Sequence, residues 1–217
     1  MAETYHVVGK GWGRNKGTSG EQKWYTDGKR VFDVVCAVLL LILCAPFCVV
    51  IGLLIKRDTP GPILFRQQRV GKDGRTFVIY KFRTMYNETP VYARKPDDTD
   101  GSKITPVGVV LRATALDELP QLFNVLKGEM SLVGPRPEMP FIVRTYTPYQ
   151  RQRLAVKPGI TGPWQLSNMR HEPIHQNLHY DLDYIKHRSF ALDLSILLRT
   201  LAFCVRMLKS VCFGSTR

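Results

Sequence analysis

The sequence predicts a compact α+β domain held at a membrane, with an N-terminal re-entrant helix broken at a proline, a small β-hairpin and amphipathic interfacial helices. Three observations predict it. Val34–Ile55 is a run of 22 residues without a charged or strongly polar side chain. Two strand-like runs flank Asp73-Gly74, and Asp-Gly is a strong hairpin signal. In the C-terminal stretch 191–210 apolar residues recur at helical spacing, with Lys and Arg beside them.

Residues 1–28 are polar and Gly-rich, with Trp12, Trp24 and Tyr25 but no apolar period, and read as a flexible or interfacial leader. Residues 29–58 form the membrane segment. As a helix its apolar run would extend about 33 Å, enough for a hydrocarbon core of about 30 Å. It is too long for a secretory signal, and Lys56-Arg57 follow it without a small-residue cleavage site. Pro46, near its middle, removes one backbone hydrogen bond and crowds the preceding turn, so a kink is expected. Lys29-Arg30 precede the run and Lys56-Arg57 follow it, whereas a spanning helix shows a Lys/Arg bias toward one side. A helix that enters, bends at Ala45-Pro46 and returns would place all four cations on one anionic leaflet. A single span with a proline kink is the alternative. Asp33, at the edge of the run, would stay at headgroup level beside Lys29 or Arg30.

Residues 59–213 form the extramembrane domain. Pro60-Gly61-Pro62 is a rigid turn. Ile63–Val70 and Thr76–Thr84 are the hairpin strands, and period-2 alternation puts Arg66 with Gln68 on one face and Lys81 with Arg83 on another. Residues 86–104 are polar and read as a loop. A helix fits Glu118–Lys127, closed by Gly128. Proline punctuates Pro135–Pro140 and Lys157–Trp164. Two more helices fit 174–187 and 191–210. The second carries Leu194, Leu197, Leu198, Leu201, Val205 and Leu208 with Arg199, Arg206 and Lys209 nearby. That pattern suits a helix on the bilayer surface or one packed on the core.

The chain has 31 Lys plus Arg against 18 Asp plus Glu, a formal net charge of +13. This excess fits an anionic partner such as nucleic acid, a membrane surface or a phosphate-rich ligand, or a solvated surface that keeps the chain soluble, and the apolar run favours the membrane. One isolated apolar run excludes a multi-span transporter and sets the chain apart from an ordinary soluble enzyme. Cys36, Cys44, Cys48, Cys204 and Cys212 contain no C-x-x-C pair, and three lie in the apolar run. They read as buried free thiols, not as a disulfide framework or zinc site. His171, His175 and His179 recur at four-residue spacing, with His187 further on, but Pro173 interrupts them and no H-E-x-x-H occurs.

The densest chemical signal is L-R-A-T-A-L-D-E-L-P-Q-L-F-N-V-L-K-G-E-M-S-L-V-G-P-R-P, Leu111 to Pro137. Read locally, Asp117 is an N-cap, Glu118 an acidic first-turn residue, and Pro120 is tolerated in the same turn. Read chemically, a carboxylate at a helix N-terminus stays anionic and can act as a nucleophile. Arg112 and Arg136 are near in sequence to hold phosphate oxygens. Adjacent carboxylates also suit magnesium, which binds one or two carboxylates plus substrate phosphates. One carboxylate would then attack phosphorus while the other holds the metal. A membrane-anchored basic module that binds nucleic acid or anionic lipid is the competing class, and it gives the Asp-Glu pair no task.

Several blocks together resemble the small monotopic phosphoglycosyl transferases of the bacterial sugar transferase family. They are K-R-V-F-D before the apolar run, P-G-P-I-L-F-R-Q-Q-R-V-G at 60–71, Y-K-F-R-T-M at 80–85, the block just quoted, V-K-P-G-I-T-G at 156–162 and the D-L-D-Y-I-K-H-R-S-F-A-L-D-L-S-I-L-L-R-T-L tail. The resemblance implies a proline-broken re-entrant helix in the cytoplasmic leaflet of the bacterial inner membrane, with the catalytic domain on the cytoplasmic face. It implies transfer of a sugar 1-phosphate from a UDP-sugar to polyprenol phosphate through an aspartyl intermediate, the first membrane step of glycoconjugate assembly. Asp117 would be the nucleophile and Glu118 the Mg²⁺ ligand. Arg112 and Arg136 would contact phosphate, with Lys81 and Arg83 as further candidates. Anionic inner-leaflet lipids would be partners, nucleic acid would not, and a homodimer is compatible. The sequence departs from the family at Ala115, where Ser is common, at Asn168-Met169-Arg170 and at Pro163-Trp164.

Overall fold

The computed structural model describes residues 21–89, 103–170, 172, 174 and 177–213. The apolar run lies inside one helix, α1 (Glu21–Asp58). This helix starts within the stretch expected to be leader. Its first turns are tied down: the Tyr25 hydroxyl donates to Asp193 at 2.8 Å and Lys29 Nζ donates to the same oxygen at 2.6 Å. Helical geometry also continues through Pro46. The proline lacks an N–H for the Ile42 carbonyl, but the chain does not unwind there.

Asp33, Ala37, Leu41, Cys44, Cys48, Ile51 and Ile55 are buried or half-buried and recur every three or four residues, so they share one face of α1. The other faces expose Leu39, Ile42, Leu43, Phe47, Val49 and Leu53, each about three-fifths or more accessible. Left in water, each such side chain forgoes roughly 1.5–3 kcal/mol of burial free energy. α1 is long and apolar enough to cross a membrane, and an apolar surface of this extent marks a membrane or partner contact.

β1 (Leu64–Val70) and β2 (Thr76–Phe82) pair antiparallel, with Leu64 opposite Phe82 and Val70 opposite Thr76. The connection uses Asp73 at φ 56° and Gly74 at φ 77°, as an Asp-Gly turn requires. Phe77, Ile79 and Phe82 face the core. Residues 90–102, most of the expected loop, lie outside the described residues, and Met85 bridges to Ile104 at its edge.

α2 (Pro106–Thr114) follows, a helix that the sequence pattern does not announce. Thr105 caps it by accepting from Gly108 N at 3.0 Å, with Pro106 at the first position. The expected helix over Glu118–Lys127 divides in two: a 3-10 turn, Leu116–Gln121, runs into α3 (Leu122–Lys127). Pro120 inside the first piece, and Ala115 at φ 58° before it, explain the tighter winding. Gly128 closes α3 at φ 81°.

β3 (Ser131–Val133) pairs in parallel with β4 (Gly159–Thr161). Between them lie two one-turn helices, α4 (Pro140–Arg144) and α5 (Pro148–Arg151), and a 3-10 turn, Gln152–Ala155. A Cβ on Gly159 would stand 2.1 Å from Gly134 N and 2.5 Å from Thr161 O. Both contacts are with backbone, so Gly159→Ala is expected to destabilise the fold by about 3 kcal/mol or more. Thermal melting of the purified variant checks this.

α6 (His179–His187) starts later than the expected 174–187, and α7 (Phe190–Phe213) outruns 191–210 at both ends. Of the two settings open to α7, the structure gives a divided one. Ile196 packs in the core, while Leu194, Leu198, Leu201, Val205 and Leu208 stand exposed.

Candidate active site

The site forms where three segments meet. Ala115, in the left-handed region, turns the chain from α2 into the 3-10 turn that carries Asp117 and Glu118. β2 delivers Lys81 opposite them, and the loop after β3 delivers Arg136. Lys81 Nζ donates to Glu118 Oε1 at 2.5 Å and stands 4.0 Å from Asp117 Oδ2. Arg136 Nη2 donates to the same Glu118 oxygen at 3.1 Å. The Arg136 guanidinium also stands 6.0 Å from the centre of the Trp164 ring, within range of a cation–π attraction.

Ala115, not Asp117, takes the N-cap position of this turn, and Asp117 lies inside its first turn. The 3-10 turn that holds it runs directly into α3. Burial comes first and pushes the Asp117 carboxyl up. Lys81, Arg136 and Arg112 pull it down, Glu118 pushes it up again, and the balance stays above the ordinary aspartate value. Glu118 differs. Burial raises it too, but Lys81 and Arg136 bond to it directly and hold it at about 2. The two neighbouring carboxyls are thus driven apart, the usual sign of divided roles.

Arg112, at the end of α2, is fixed by its Nε–H to Thr84 Oγ1 at 3.1 Å and acts on Asp117 through its charge. Arg83 goes elsewhere. β2 ends at Phe82, so alternation no longer governs residue 83. The buried Arg83 guanidinium donates to the Thr59 carbonyl and hydroxyl and to the Pro60 carbonyl at 2.7–2.8 Å. It caps the end of α1 and does not join the phosphate-binding candidates. Pro46 stands exposed about two thirds of the way along α1.

Thr84, Arg153 and the approach of α7 are not among the candidates the sequence offers. Arg153 reaches the main chain of Arg136 from 17 residues away, and Cys204 on α7 feels the Glu118 charge. None of these has a local signature. His171 and His175 lie outside the described residues. His179 and His187 are exposed, with His179 against Tyr180. Among the described residues no cluster of three His, Cys, Asp or Glu side chains could hold a metal. The two adjacent carboxylates are hard oxygen donors of the kind magnesium takes together with substrate phosphates. With Lys81, Arg112 and Arg136 around them, the five charges sum to a net positive site that suits an anionic ligand.

The profile of the bacterial sugar transferase family matches residues 24–207. The chain is 44% identical over 182 residues to the UDP-glucose:undecaprenyl-phosphate glucose-1-phosphate transferase of Caulobacter vibrioides, covering 79% of this chain and 67% of the relative. It is 37% identical over 193 residues to the undecaprenyl-phosphate galactose phosphotransferase of Salmonella typhimurium, covering 82% and 40%. It is 38% identical over 183 residues to a UDP-N-acetylgalactosamine-undecaprenyl-phosphate N-acetylgalactosaminephosphotransferase of Aeromonas hydrophila, covering 82% and 43%. The chain thus spans less than half the length of the last two.

Proposed function

The chain belongs to the bacterial sugar transferase family, and from that premise we propose that it transfers a sugar 1-phosphate from a UDP-sugar to a polyprenol phosphate, such as undecaprenyl phosphate, releasing UMP. The observation that carries the reading is the convergence of Asp117 and Glu118 with Lys81, Arg136 and Arg112. Two carboxylates with separated ionisation and three cations are what phosphoryl transfer through a carboxylate nucleophile needs.

The reaction runs in two displacements. Arg136 and Arg112 bind the donor's diphosphate and bring the β-phosphorus to Asp117. A carboxylate oxygen of Asp117 attacks that phosphorus, its bond to the bridging oxygen breaks, and UMP leaves with the electron pair. Polyprenol phosphate then attacks the same phosphorus, the acyl–phosphate bond breaks, and Asp117 returns as a carboxylate. No proton has to move in either step. Lys81 balances the charge of Glu118 and stands near Asp117 as its charge is spent and restored. Mg²⁺ belongs to this proposal: Glu118, beside Asp117, would hold it with the donor's phosphate oxygens, and the ion would supply charge neutralisation.

A panel of UDP-sugars, with polyprenol phosphate and Mg²⁺ in detergent, tests the reaction by UMP release. Release with at least one donor is expected. No release with any, alongside salt-sensitive nucleic-acid binding, would favour the basic binding module instead.

The acceptor is a lipid, so α1 is read as re-entrant, with the catalytic domain on the cytoplasmic face of the inner membrane. Support comes from its two ends, both bonded to the same domain. At one end Arg30 donates to the carbonyls of Val125 and Leu126, and Asp33 accepts from Leu132 N. At the other, Arg83 holds Thr59, and Asp58 accepts from Val107 N. Between them one face of α1 packs on the domain while its other faces expose Leu39, Ile42, Leu43, Phe47, Val49 and Leu53, and the stripe on α7 lies in the interface. In a chain with its native cysteines replaced by serine, Asp27→Cys and Arg57→Cys are expected to react with an impermeant maleimide from the same side of sealed vesicles. Reaction from opposite sides would show a span.

A further inference from the structure

Arg136 is presented by a loop whose main chain is tied on both sides of it. Gly134 N donates to Thr161 O at 2.9 Å, and Pro135 O accepts from Gly159 N at 2.9 Å. Pro137 O accepts from Arg69 at 3.3 Å. Pro135 and Pro137 have no N–H and a fixed φ. The carbonyl of Arg136 itself accepts from Arg153 Nη2 at 2.6 Å. Arg153 is 2% exposed, and all the hydrogen bonds of its guanidinium are internal. Nε donates to Asp181 at 2.9 Å, Nη2 stands 2.7 Å from the same carboxylate, and Nη1 donates to Tyr146 Oη at 2.6 Å.

A buried ion pair of this kind roughly breaks even against apolar packing, so fold stability is a weak reason for it. Its geometry suggests a better one. Asp181 from α6 and Tyr146, just past α4, lock the guanidinium, and Nη2 also fixes the backbone of the residue that grips Glu118. We propose that Arg153 is a positioning residue: held by Asp181 and Tyr146, it sets the main chain at Arg136 so that the Arg136 side chain meets both Glu118 and the ligand phosphate. This rests on Arg136 being a phosphate-binding residue, as read above. Lysine at 153 can keep the ion pair with Asp181 but cannot reach Tyr146 and Arg136 as well.

The test is a double-mutant cycle on the detergent-solubilised full chain with Mg²⁺, using UDP as the probe in titration calorimetry. If Arg153 acts through Arg136, Arg153→Lys weakens UDP binding about tenfold in the wild-type background and less than about twofold in Arg136→Gln. Equal losses in both backgrounds, or no loss in the wild type, would overturn the positioning role while leaving the reading of Arg136 intact. Unchanged UDP affinity in Arg136→Gln alone would instead remove the phosphate-binding assignment, and the positioning role with it. If Arg153→Lys shows no melting transition, Tyr146→Phe goes through the same cycle, having lost only one hydroxyl. It is expected to weaken binding about threefold in the wild type and not at all in Arg136→Gln. Equal factors in the two backgrounds would overturn the proposal.

Discussion

Asp117→Asn is expected to remove turnover, by about 10⁴-fold or more, while the protein stays folded. The amide has the shape of the carboxylate but cannot displace a phosphate. Neighbouring pairs survive the change, because Lys81 and Arg136 bond Glu118 and not Asp117. Stability should move the other way from activity. Burial lifts the Asp117 carboxyl above its ordinary value, so folding favours its neutral form. Ionising it, as pH rises through the ordinary aspartate range and above, therefore costs folding free energy. A neutral amide removes that cost, and the variant's melting temperature near pH 8 should equal or exceed that of the wild type. A reactive residue that destabilises its own fold is a familiar trade between stability and activity. Steady-state UMP release and a melting curve on one preparation check both halves.

Lys81→Met is expected to damage stability and activity together. Lys81 is a close partner of Glu118 and the cation that pulls most strongly on the Asp117 carboxyl. Glu118 ionises at about 2 instead of 4.5, so its stabilising contribution is present above pH 4.5 and is lost as pH falls from there through 2. Removing the lysine leaves a largely buried carboxylate with Arg136 alone. The expected loss is about 3 kcal/mol, lowering Tm by roughly 10 °C. Both carboxyls then ionise at higher pH than in the wild type. Since Asp117 must be ionised to attack, activity should fall off on the acid side at a higher pH than in the wild type. A pH–rate profile whose acid limb does not move would mean that Lys81 does not tune Asp117.

Much of this architecture is legible in the residues, and the illegible parts have physical reasons. α1 shows itself by an apolar run too long for anything else, and the hairpin by Asp73-Gly74, because both signals are local. The Asp-Glu pair and Arg136 stand out because few residue types serve phosphate chemistry. Arg83 misleads for the opposite reason: alternation assigns it the face of Lys81, but the strand stops one residue earlier and the side chain turns to the carbonyls at the end of α1. Asp117 misleads because Pro120 fits an α-helical first turn and a 3-10 turn alike. The parallel pairing of β3 with β4 rests on three residues in each strand, too few to show a period. Arg153 is invisible locally, since its partners lie 7, 17 and 28 residues away.

The covalent role of Asp117 is tested most directly without any acceptor. The purified chain is mixed with a UDP-sugar substrate and Mg²⁺, and UMP and intact protein mass are followed. A burst of one equivalent of UMP is predicted, with a gain of one sugar phosphate on the peptide that contains Asp117. Adding polyprenol phosphate should discharge that mass, and Asp117→Asn should show neither burst nor adduct. Steady turnover with acceptor, but no UMP and no adduct without it, would contradict a covalent intermediate on Asp117.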